Sequence, residues 1–166
     1  MTAGSANPRV LVLGVGNLLL QDDAAGLRML EELSSRDFGS EVDFVDGGTQ
    51  GLALLGQFAG RHALIILDAV ALGDPPGTIH VLRGDDLDGL RAQRSSTSHE
   101  SNALELLAYA RLLGYEPPEV FVVGIEPESI RTGIGLSDTV EAVMPDALAY
   151  AAALIQTVAR SQSLCV

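Results

Sequence analysis

The chain of 166 residues has no lysine, no tryptophan and a single cysteine, Cys165, beside the C-terminus. A lone cysteine cannot close an internal disulfide and supplies no thiolate set for structural zinc or an iron–sulfur cluster, which suits a reducing cytoplasm. Basic side chains are scarce as well. Ten arginines face 22 aspartates and glutamates, and a formal net charge of -12 argues against a nucleic-acid partner. The N-terminal MTAGSANPR lacks the basic and apolar regions of a signal peptide, and no continuous apolar run approaches the ~18 residues of a membrane span. These absences read as a cytoplasmic chain with no membrane or nucleic-acid role. For metal chemistry they leave carboxylates and three histidines.

With 47% hydrophobic and 19% charged residues, the chain can bury a core of its own. It reads as one domain over residues 1–166, with 1–8 and about 160–166 frayed. Residues 9–16 (RVLVLGVG) form a short β-branched run ending in glycines, a buried strand entering a tight turn. Asp22 and Asp23 then offer an N-cap for a helix with Leu27, Leu30 and Leu33 on one face. Strands are also expected at 41–49, at 62–70 as the central strand, at 78–84 as an edge strand open to antiparallel pairing, and at 119–127. Residues 52–58 read as a short helix, and Leu104, Leu107 and Leu112 mark a longer one closed by Gly114. Asp138 with Glu141 makes a capping-box pattern for a last, Ala-rich helix that Pro145 should kink or split. Alternating strands and helices imply an α/β fold: a mostly parallel sheet with helices on both faces and a site beyond the carboxyl ends of its strands.

Three polar residues fall at such positions: Asp23 after the first strand, Asp68 at the end of the central strand and His99 after the polar 95–98 loop. Two carboxylates and an imidazole suit a divalent first-row metal and leave coordination positions open. Singly, each has an ordinary use: Asp23 as a helix cap, Asp68 as a turn residue, His99 as an exposed first-turn side chain. GVGN at 14–17 invites a dinucleotide reading, but Leu19 stands where the third glycine of the fingerprint belongs. Asp46 keeps that reading open as a ribose acid, against its use as a turn aspartate before Gly47-Gly48. Leu18, Leu19 and Leu20 either contact a partner or, the favoured reading, pack under the following helix. His62 and His80 read as structural, and the acidic 84–88 run as a solvated turn or helix cap. Ser98, His99 and Asp68 lack the elbow of a serine hydrolase.

Five blocks go beyond such patterning: VLVLGVGNLLLQDDAAGLRMLEEL (10–33), FVDGGTQGLALL (44–55), LIILDAV (64–70), TSHE (97–100) and VVGIEPESIRTGIGLSDTVEAVMPDAL (122–148). In order and register they resemble the hydrogenase maturation proteases, endopeptidases that trim the C-terminus of nickel-iron hydrogenase large subunits. The resemblance implies a five-stranded twisted sheet and cleavage of a C-terminal extension, by an aspartyl-type or metal-assisted route, once nickel is installed. By motif position it implies that Asp23, Asp68 and His99 contact the nickel and are catalytic, and that Gly47, Gly48 and Thr49 bind substrate. The family commonly has Glu-Gly where Asp23-Ala24 stands, a carboxylate one methylene longer, so Asp22 is a substitute for the role. Nickel is expected to arrive with the large-subunit precursor, with no tightly bound cofactor of the chain's own. The rival is a non-enzymatic metal carrier or precursor-holding chaperone using the same crevice.

Overall fold

Every residue of strand β1 (Val10–Val15) and strand β3 (Ala63–Ala69) is buried, so both faces of the sheet they form must be covered. The computed structural model describes residues 8–93 and 102–164. It places β1 and β3 side by side in a five-stranded sheet of order β2-β1-β3-β5-β4, where β2 is Val42–Gly48, β4 Ile79–Arg83 and β5 Glu119–Ile125. All pairings are parallel except β4 with β5, which puts the antiparallel strand at an edge as its alternating pattern suggests.

The period of two divides the core into halves. Val10, Val12, Ile65 and Leu67 point to the face covered by helix α1 (Ala25–Ser34) and the C-terminal helix, which we number α4 (Asp138–Ser163). Leu11, Leu13, Leu64 and Ile66 point to the other face. A 3-10 helix at Gly51–Phe58, helix α2 (Gly84–Gln93) and helix α3 (Asn102–Leu112) cover it. The acidic run at 84–88 is thus the start of a helix, and Asp86 caps its entry by accepting from the Arg83 N–H.

Helix α4 departs from expectation twice. Ser137, not Asp138, is the N-cap, its hydroxyl accepting from the Val140 N–H. The helix then continues unbroken through Pro145 to Ser163, so residues 160–163 are helical and not frayed. Pro145 and Glu141, whose carbonyl the ring leaves without a donor, both lie on the exposed side, where water serves that carbonyl. On the opposite side Val140, Met144, Ala147, Ala151 and Ile155 lock the helix to the core. Among the described helices α4 alone has the length and mean hydropathy of a membrane crossing, and this packed stripe accounts for its apolar character.

Helix α1 sits unusually close to the sheet. A Cβ at Gly26 would lie 2.1 Å from the Leu67 carbonyl oxygen and 2.6 Å from that of Val15. Both are backbone atoms at the carboxyl ends of β3 and β1, and neither can swing aside. Gly26→Ala is therefore expected to lower stability by about 3 kcal/mol in urea unfolding. Gly56→Ala, where a Cβ meets nothing within 4 Å, should change it by less than about 1 kcal/mol. Equal stability of the two variants would contradict this seating of α1.

Candidate active site

The loop leaving β1 turns at Gly16, whose φ of +137° and close approach to the Asp23 carbonyl oxygen exclude any side chain. It then enters a 3-10 turn, Gln21–Ala24, before α1 begins. That turn displaces the two aspartates from the capping position expected of them: α1 has no side-chain cap. Asp22 is fully buried and faces the loop between β5 and α4. Its Oδ2 accepts from the N–H groups of Glu128 and Ser129 at 2.9 Å and from the Ser137 hydroxyl at 2.9 Å, and its Oδ1 from the Ser137 N–H at 2.7 Å. A carboxylate holding four internal donors ties the β1 loop to the 128–137 segment.

Asp23 is half-buried and points elsewhere. Its Oδ2 accepts from the Asn17 N–H at 2.8 Å, which closes the loop back on itself. Burial pushes its carboxyl above the usual carboxylate range, against the smaller opposing effect of the Asn17 hydrogen bond. A raised carboxyl in a crevice can hold or release a proton near neutrality more readily than an ordinary one.

Asp68 ends β3 on the same sheet face as Leu64 and Ile66, and it is fully buried. Its Oδ1 accepts from the Ala69 N–H at 2.8 Å and its Oδ2 from the Ala103 N–H at 2.9 Å. The second bond fastens the first turn of α3 to the end of the central strand. His99, four residues earlier in the chain than Ala103, lies outside the described residues. From β1 the chain turns towards β2 at one edge, and from β3 towards β4 and β5 at the other. The strand order therefore reverses between β1 and β3, and the turn carrying Asp23 packs against β3 there. The crevice of this switch point is where open α/β sheets bind ligands.

Beside it, on the α3 face, opens a cleft of about 230 Å³. Gly48, Thr49 and Leu52 form one wall, Glu105, Leu106 and Tyr109 the other, and Val15 and Leu54 the base. Two of the three residues expected to bind substrate, Gly48 and Thr49, thus line a cavity. Gly47 does not: it is buried, with room for no Cβ between Leu54 and the Gly14 carbonyl. Asp46 accepts from the Gly48 N–H at 3.0 Å, its ordinary turn use. The α3 wall was not anticipated, although Glu105 and Tyr109 stand one helical turn apart and so share a face.

Leu18 and Leu19 are 54% and 60% exposed, not packed under α1 as expected. The reason is that Leu19 and Leu20 pair their backbones with Gly133, which holds this segment out against the 129–137 loop. Exposed Ile130 and Ile134 belong to that same loop. Away from the switch point, buried His80 places Nε2 3.0 Å from Glu126 Oε2 and 3.7 Å from Asp74 Oδ2. Glu126 also accepts from the Leu72 and Gly73 N–H groups, so it pins the β3–β4 loop, and Asp74, His80 and Glu126 bring their ligand atoms within 4.8 Å of one another.

The family model for hydrogenase maturation protease matches residues 27–154. Hydrogenase 2 maturation protease of Escherichia coli (strain K12) is 42% identical over 142 residues, 84% of this chain and 86% of that protein. The solved structure of the hydrogenase maturating endopeptidase HybD from E. coli superposes with a TM-score of 0.77 at 38% identity, covering 90% of this chain and 93% of that one. A NiFe hydrogenase maturation protease, HybD from Thermococcus kodakarensis, gives 0.69 at 26% identity, covering 89% and 99%.

Two adjacent aspartates should answer mutation oppositely. Asp22→Ala orphans buried N–H groups of Glu128, Ser129 and Ser137 and should cost about 3 kcal/mol or more in urea unfolding. Ionising Asp23 is harder in the fold than in the unfolded chain, so folding loses free energy as pH rises from the ordinary carboxylate range through the raised value. Asp23→Asn should then be more stable than wild type at pH 7, with the gap closing towards about pH 4. A constant gap across that range would contradict the raised carboxyl.

Proposed function

Because the chain belongs to the hydrogenase maturation proteases, endopeptidases that cleave the C-terminal extension from hydrogenase large-subunit precursors, we propose that it acts on a nickel-iron precursor and only after nickel insertion, with Asp23, Asp68 and His99 reading the substrate's nickel. The family sets aside the reading as a non-enzymatic carrier. The observation that carries the proposal is the position of Asp23 and Asp68 at the switch point between β1 and β3. The NiFe hydrogenase named for the Thermococcus relative agrees with it.

The donor set fits the cargo. Carboxylate oxygens and an imidazole nitrogen coordinate a divalent first-row metal, whereas thiolates would compete with the precursor for it. Asp68 is held by the Ala69 and Ala103 N–H groups and so presents a fixed carboxylate. Asp23 commits Oδ2 to Asn17, and among the described residues Oδ1 has no hydrogen-bond partner. Nickel held by Asp23, Asp68 and His99 would supply Lewis-acid chemistry to the scissile peptide.

Nickel-loaded precursor incubated with the protein should lose the mass of its C-terminal extension, while nickel-free precursor stays intact. Equal cleavage of both would overturn the nickel reading. Asp68→Asn and His99→Ala, checked for native circular dichroism, should each slow cleavage by about 100-fold or more. Full activity of either would overturn the site.

A further inference from the structure

Facing Gly48 and Thr49 across the cleft is a carboxylate with no partner among the described residues. Glu105 is exposed in the first turn of α3, and among the described residues no basic side chain lines the cleft. A favourable helix dipole accounts for an acid at that position. It does not account for the apolar walls around it: Leu52, Leu54, Leu106 and Tyr109. At about 230 Å³ the cleft holds one long side chain and no folded segment.

We propose that this cleft is a specificity pocket for an arginine or lysine side chain in the processed region of the precursor, with the cationic head paired to Glu105 and the stem lying on Leu52, Leu106 and Tyr109. The assignment rests on the proposed function and adds the chemistry of one substrate position to it. Long basic side chains combine an apolar stem with a charged tip, the same combination that the cleft displays in complement. A guanidinium forks onto a carboxylate, and the Tyr109 ring adds a face for the cation. An acidic side chain would be repelled by Glu105, and a purely apolar one would cover the carboxylate without pairing it. The net charge of -12, otherwise without a functional role, draws a cationic segment towards the surface. Val15 joins the cleft to the carboxyl end of β1, so a side chain seated there leaves its backbone beside the Asp23 and Asp68 crevice.

The test titrates the full-length ¹⁵N-labelled protein with N-acetyl-arginine amide and with N-acetyl-citrulline amide, a neutral analogue of nearly the same shape. The arginine amide should shift the Gly48, Thr49 and Tyr109 amide signals and bind about tenfold more tightly than the citrulline amide. Glu105→Gln should abolish that preference. Equal binding of the two, shifts elsewhere on the protein, or no response to either would overturn the pocket. In the cleavage assay, each arginine and lysine near the precursor's processing site is replaced in turn by methionine. One replacement should lower kcat/KM about tenfold with the wild-type protein and cause no further loss with Glu105→Gln. If every replacement is neutral with wild type, the pocket is overturned. If wild type leaves the unaltered precursor intact, the proposed function fails, while the amide titration still decides the pocket.

Discussion

The close seating of α1 on the carboxyl ends of β1 and β3 is the constraint on which the site depends. Gly26 lies against the carbonyls of Val15 and Leu67, with no space for a methyl group. Leu67 immediately precedes Asp68, and Asp23 lies three residues before Gly26 in the turn that leads into α1. One backbone contact therefore sets the height of both carboxylates above the sheet. Gly16, pressed against the Asp23 carbonyl, sets the return of the loop from the other side. Both glycines are buried, and a side chain at either would push α1 or the loop away from the strand ends that carry the two acids.

Neighbouring aspartates on one short turn divide structure from chemistry. Asp22 spends both oxygens on four donors of the 128–137 segment, and so binds the β1 loop to the entry of α4. The Asp23 side chain makes one hydrogen bond among the described residues and carries a desolvated, proton-retaining carboxyl. The first stabilises the fold and the second destabilises it, which is the usual relation between a scaffold and the group it holds ready. Asp68 combines the two: its hydrogen bonds anchor α3, and that anchorage also fixes its own carboxylate.

Sheet and helices were legible wherever one periodicity ruled a segment. The β1 and β3 runs, buried on both faces, and the alternating β4 edge read directly from their hydrophobic pattern. So did the positions of Asp23 and Asp68, since strand ends follow from strand cores. Features fixed by distant partners were not legible. Asp22 looks like a cap until the 128–137 loop arrives to claim it, and Leu18 and Leu19 look like core until Gly133 pairs with the backbone beside them. Pro145 reads as a helix breaker because sequence alone does not reveal that the freed carbonyl faces water while a buried stripe holds the helix straight through. The Glu105 wall needed the approach of α3 to the Gly51–Phe58 segment, a contact with no local signature.

An acidic chain nearly free of thiols is well suited to inspect a metal that another protein already holds. On the proposed reading, carboxylate and imidazole donors would complete a coordination shell without stripping it, and the crevice of Asp23 and Asp68 lies beside the cleft lined by Gly48, Thr49 and Glu105. The most direct measurement is the nickel K-edge absorption of nickel-loaded precursor, recorded alone and again after mixing with the protein and freezing within the first turnover. Added oxygen and nitrogen scatterers in the nickel shell, diminished with Asp68→Asn and with His99→Ala, are the expected result. A nickel shell unchanged by the protein would contradict the claim that these residues read the substrate's metal.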